Sequence, residues 1–242
     1  MNLYKKDYNR LCPLQDKFLN VWNAFGLPFY LTGDTALGRF YLNHRYSDDL
    51  DFFVNGDTDF LKYILFIKNE LHKHFNTDIS KVIVTDEFAR FFIGDNDMFM
   101  KVEFLNDVEY RVGNPLKSDL GNIDTVANIL SNMLTALIGR DEPKDVFDIV
   151  TVAANFSFNW QDMFMHAKEK AMINEIDIEQ RLFTFPVNSL ESVDWLNKTF
   201  DSKNFKKQLI KIADDFMLGE NNSLGKNKTG IEDAKLLTTW AG

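Results

Sequence analysis

The chain has 242 residues, enough for one large domain or two small ones with a sizeable core. Lys and Arg number 27 against 36 Asp and Glu, and the net charge of −9 argues against a protein that coats nucleic acid non-specifically, though a local basic groove remains open. The single cysteine, Cys12, excludes an internal disulfide and fits a reducing cytoplasm; the polar start lacks an apolar signal core, and no apolar run reaches the ~18 residues of a membrane span.

In chain order, residues 1–10 read as a polar lead-in. Leu14, Phe18, Val21, Trp22 and Phe25 then form one helical face over residues 13–25, stopped by Gly26. Residues 29–32 read as a strand ending at Gly33, with a helix from Thr35 to about Asn43 behind it. Glycine there permits a sharp turn and close approach of a ligand, and the free amides of a helix start suit phosphate. His44-Arg45-Tyr46-Ser47 is a polar loop leading into a strand over 49–54. Strand alternation places Asp49 and Asp51 on one face and Leu50 and Phe52 on the other.

Phe60, Ile64, Ile67 and Leu71 mark a helix to about Phe75. Residues 81–85, 88–93 and 98–105 read as strands, the last two joined by the turn Gly94-Asp95-Asn96-Asp97. On 98–105, Met98, Met100, Val102 and Phe104 face one way, and Lys101, Glu103 and Leu105 the other. From residue 123 the pattern is helical, with helices at 124–139, 143–155, 160–173, 176–182, 189–199 and 203–218 and a short one at 231–239. The expected architecture is a mixed-sheet α/β domain over 1–113 and a helical domain over 114–242. The 23 phenylalanines predict an aromatic core, though compositional bias of the source genome explains the count equally simply.

Asp49, Asp51 and Glu103 are candidates for one acidic site. Adjacent carboxylates repel, and a divalent cation between them relieves the repulsion; two-metal phosphoryl chemistry uses such bridging groups. An Asp-x-Asp alone is weak, because phosphatases of the haloacid dehalogenase type, many glycosyltransferases and plain surface pairs share it. The combination of strand, Gly-x-Thr turn, helix and Asp-x-Asp strand is more specific.

The run LTGDTALGRFYLNHRYSDDLDFF closely resembles the signature of the AbiEii-type nucleotidyltransferases, a bacterial toxin family in the DNA polymerase β-like superfamily. Gly33, Thr35, Ala36, Leu37, His44, Arg45, Ser47, Asp49, Leu50, Asp51, Phe52 and Phe53 match its pattern. A second block, ALIGRDEPKDVFDI, resembles the family's Arg-x-x-x-(Arg/Lys)-Asp-x-x-Asp motif through Arg140, Lys144, Asp145 and Asp148. The resemblance implies an α+β fold: a nucleotidyltransferase-like mixed sheet with flanking helices, followed by a C-terminal helical domain. It further implies transfer of a nucleotide from an NTP to an acceptor hydroxyl, on tRNA, other RNA or protein, with a cognate antitoxin as partner and no membrane. In that scheme Asp49, Asp51 and Glu103 bind Mg²⁺ or Mn²⁺, and Glu103 helps deprotonate the acceptor. Gly33, Asp34 and Thr35 form the phosphate turn, while Arg45, Lys101, Arg140 and Lys144 offer positive charge. Arg140, Lys144, Asp145 and Asp148 fit a structural salt-bridge cluster equally well.

Two positions depart from the family pattern. Asp34 replaces the second glycine of the turn, and Met133 stands where a helix lysine is expected, a charge that Lys101, Arg39 or Lys144 would have to supply. These departures support a rival, a non-catalytic binding module that keeps the fold. A second rival, an aminoglycoside-type small-molecule nucleotidyltransferase, draws on the acidic charge of the chain.

Overall fold

The computed structural model describes residues 7–95, 97–140, 142–196 and 198–237. The expected lead-in over 1–6, Asn96 of the expected turn and the end of the expected last helix lie outside the described residues. The chain falls into two compact units. One runs through Glu109 and takes in Pro115–Asp124 and Leu237; the other comprises Tyr110–Asn114 and Thr125–Leu236.

The first unit opens with α1 (Tyr8–Asn23), whose N-cap Asp7 accepts a hydrogen bond from the Asn9 amide at 3.1 Å. The helix starts ahead of the expected Pro13, because the Asp7 cap and the buried Tyr8 and Leu11 extend the same apolar face. Next come β1 (Tyr30–Thr32), α2 (Gly33–Leu37) with a π-helical turn over Gly38–Leu42, and β2 (Leu50–Asn55). Then follow α3 (Phe60–His74), β3 (Asn76–Thr77), β4 (Ile83–Val84), β5 (Phe88–Asp95) and β6 (Met98–Asp107). Two short strands that sequence patterning left unassigned, β7 (Leu116–Ser118) and β8 (Gly121–Ile123), bring the chain back to the sheet.

Among the described residues the sheet has eight strands in the order β3-β5-β6-β2-β1-β8-β7, with β4 also on β5. It is mixed as expected: β2 runs parallel to β6 and β1 to β8, and the other pairs are antiparallel. One face is apolar. Leu50, Phe52 and Val54 of β2 lie beside Met100, Val102 and Phe104 of β6 and Ala89, Phe91 and Ile93 of β5, all buried. Phe104 is the hub of an aromatic cluster, with ring centroids 5.3 Å from Trp22, 5.3 Å from Phe29 and 5.5 Å from Phe52. Helix α1 is clamped to the sheet through Trp22 on Phe52 at 4.5 Å. The opposite face of β2, β5 and β6 stays partly open, and it carries the polar side chains.

The second unit is helical: α4 (Val126–Gly139), α5 (Pro143–Asn155), α6 (Trp160–Lys168), α7 (Glu175–Thr184) and α8 (Ser202–Met217). Thr125, Asn159, Asn174 and Asp201 cap α4, α6, α7 and α8. Trp160, Phe164 and Phe216 meet edge to face, and Phe147 stacks on Phe205 at 5.8 Å. The expected helix at 189–199 is replaced by a 3₁₀ segment over Val187–Ser192. Beyond it the chain extends and brings Trp195 to 5.4 Å from Phe147, a packing contact that outweighs helix propensity. No described helix is long and apolar enough to cross a membrane.

Candidate active site

Strand register builds a polar row across the open face. Thr32 pairs with Asp51, Asp51 with Glu103, and Glu103 with Arg90, so four strands present these side chains side by side. Asp49 lies just ahead of β2 rather than on it, and Lys101 is two positions before Glu103 on β6.

Lys101 joins the acids. Its Nζ lies 3.0 Å from Asp49 Oδ2 and 2.8 Å from Glu103 Oε2. Arg90 Nε takes the other Glu103 oxygen at 2.5 Å. Burial opposes the charge on Glu103, but the hydrogen bonds from Lys101 and Arg90 outweigh it and hold the carboxyl below its ordinary range. Burial likewise opposes the charge on Lys101, and the hydrogen bond to Glu103 with the pull of Asp49 raises the ammonium above its usual range. Asp51 differs. Burial first, then the charges of Asp34, Asp49 and Glu103, push its carboxyl up to about 7 against the pull of Lys101.

Gly33 makes the turn before Asp51's neighbourhood possible in two ways. Its φ is +66°, and a Cβ there would come 3.2 Å from Asp51 Oδ2. Asp34 is held in a buried ion pair, with Oδ2 2.9 Å from Arg45 Nη2. The carboxylate that replaces the second glycine thus has its own cation, and Arg45 is assigned to Asp34. Thr35 is buried; its hydroxyl lies 2.8 Å from Ser47 Oγ and donates to the Asp49 carbonyl. Thr35 therefore fixes the loop that delivers Asp49. Arg39 is buried against Gln15 Oε1 at 3.1 Å and Asp16.

Arg140 and Lys144 belong to the second unit. Arg140, at the end of α4, grips the fully buried Asp145 of α5 with two parallel bonds, Nε to Oδ2 at 2.7 Å and Nη2 to Oδ1 at 2.8 Å. Lys144 is half-buried in the first turn of α5, and Asp148 is fully buried. Met133 is buried in α4 and belongs to the core.

The donor set bears on a divalent cation. Asp49 and Asp51 fit one, because Asp51 stands among three like charges with one ammonium to offset them. Glu103 has both oxygens ion-paired, and no group of three ligating side chains suited to a metal occurs among the described residues.

The sequence profile of the AbiEii nucleotidyl transferase toxin family, of the type IV toxin–antitoxin system, matches residues 18–224. The chain belongs to this family. No curated protein sequence matches it. Among solved structures, JHP933 from Helicobacter pylori superimposes with a TM-score of 0.54 at 20% identity, covering 84% of this chain and 89% of that one. MenT4, a nucleotidyltransferase toxin from Mycobacterium tuberculosis, does so with a TM-score of 0.51 at 14% identity, covering 92% of this chain and 85% of that one. At such identities the likeness concerns the fold.

As an AbiEii-family chain, the protein carries both family blocks, one in each unit. Arg90 and Thr32 carry no motif of their own and join the row only through strand register. The one available signal for Arg90 was alternation: in Phe88-Ala-Arg-Phe-Phe-Ile it is the charged outward residue of an otherwise apolar strand.

Proposed function

We propose that the protein is a metal-dependent nucleotidyltransferase that moves a nucleotide from an NTP to an acceptor hydroxyl on RNA, tRNA or protein. The observation that carries this reading is the register-locked row of Asp51, Glu103 and Arg90 beside Gly33, with Lys101 joining Asp49 to Glu103. Asp49 and Asp51 would hold Mg²⁺ or Mn²⁺, which supplies charge neutralisation and orientation for the phosphates. Lys101 would hand its charge from the carboxylates to the triphosphate. The main chain at Gly33 leaves room for close approach. Glu103 is assigned to holding Lys101 and Arg90, in place of the proton-accepting role expected from sequence, since both its oxygens are engaged. A cognate antitoxin is the partner that family membership suggests.

The test is labelling with radioactive NTPs in the presence of Mg²⁺. The double variant Asp49→Ala, Asp51→Ala is expected to lose NTP-dependent transfer entirely. Transfer of label by that variant would place the site elsewhere. The bridge of Lys101 between Asp49 and Glu103 also fits a binding module without activity. Calorimetry separates the two, because metal-dependent NTP binding belongs to the enzyme alone.

A further inference from the structure

We propose that the open face of β5 and β6 is a stacking platform for the unpaired nucleotides of an RNA acceptor. This names the acceptor class of the nucleotidyltransferase reading and rests on it for the reaction, though not for the binding.

Alternation places Phe88, Arg90 and Phe92 of β5 and Phe99, Lys101 and Glu103 of β6 on one partly open face, while Ala89, Phe91, Met100 and Val102 are buried behind it. Cross-strand pairs set Phe92 beside Lys101 and Phe99 beside Gly94. Phe99 lies down on that glycine: a Cβ on Gly94 would come 2.8 Å from Phe99 Cδ1. The ring is therefore held against the strand, and with 44% of the residue exposed it presents a bare surface. Arg90 supplies a second flat surface. Its guanidinium sits over Phe88 at 5.3 Å and is steered by Glu103 through Nε, with no partner for the Nη groups among the described residues. Lys81 hangs over Phe92 at 5.3 Å, shared with Asp78.

Flat rings interleaved with cations on an open sheet are the chemistry that stacks bases and touches phosphates. The platform is continuous with the candidate site through Lys101, which faces Phe92 laterally and binds Asp49. Stacking needs no net charge, so the mode suits a chain of charge −9. Few phosphates are engaged: with Arg90 and Lys81 as contacts, log affinity should fall against log salt with a slope of about −1.4.

The experiment is fluorescence anisotropy with a labelled single-stranded RNA of about twelve nucleotides, in EDTA and without NTP. Wild type is expected to bind it more tightly than the same RNA in a duplex and at least as tightly as the matching DNA strand. Phe99→Ala should weaken binding about tenfold, Phe99→Trp should preserve it, and Arg90→Gln should weaken it and flatten the salt slope. Asp49→Ala with Asp51→Ala should keep RNA binding. Equal affinity of wild type and Phe99→Ala, no binding of the single strand, or preference for duplex or DNA overturns the platform. RNA binding through Phe99 without any nucleotide transfer upholds the platform and sinks the enzymatic reading instead.

Discussion

The two family blocks use the same residue types to opposite ends. In the first unit Asp49, Asp51 and Lys101 stand on an open sheet face with more negative charge than local cations balance. In the second, Asp145 is sealed from solvent and matched by the two-pronged grip of Arg140. Sequence spacing does not separate these cases; the balance of partner charges does. An acid that its neighbours make uncomfortable is a place where a ligand can be stabilised, and a satisfied buried acid is part of the scaffold.

The largest expected effect falls on the uncomfortable acid. On the proposed metal-ligand role, Asp51→Asn should lower the rate of nucleotide transfer about a thousandfold, the several kcal/mol that such a ligand supplies. The same substitution should raise the melting temperature by about 2–4 °C, because a neutral amide ends the repulsion among Asp34, Asp49 and Glu103. Rate assays and thermal melts of one preparation measure both, and a drop in melting temperature would erase the contrast between the blocks.

Arg140→Ala is the converse. Removing two charge-assisted bonds from a buried carboxylate should destabilise the protein by about 2–3 kcal/mol, read from urea unfolding. NTP affinity measured by calorimetry should hold steady. Unchanged stability with lost NTP affinity would make this block part of the binding site and break the comparison.

The smallest effect is expected at Gly33. Alanine there must adopt a positive φ and press on Asp51 Oδ2, at a cost of about 1 kcal/mol in stability. Transfer should fall further than that stability loss explains, because the displaced carboxylate is the one proposed to bind the metal. A Gly33→Ala protein with normal transfer would show that the close approach has no part in the site.

Much of this was legible in the residues. The alternation in Leu50-Asp51-Phe52 and in Met100-Lys101-Val102-Glu103-Phe104 announces a sheet with one apolar and one charged face, and the structure bears this out. What stayed hidden depends on pairing. Nothing local says that Arg90 lies opposite Glu103, or that the Asp34 carboxylate meets Arg45 across the intervening helix and loop. Met133, read as a missing lysine, is an apolar residue in an apolar place. The strands over 116–118 and 121–123 are too short to show a period, and the helix expected at 189–199 gave way to aromatic contacts that only the folded chain supplies.

The parallel pairing of β2 with β6 has a bearing on how the chain becomes competent. Hairpin β5–β6 closes locally and can form in microseconds, whereas Asp51 meets Glu103 only after α3 and that hairpin have crossed back onto β2. Ordering of the acidic row is thus among the later events of folding. A chain emerging from the ribosome carries every one of these carboxylates, yet the row they form is assembled only when the sheet closes.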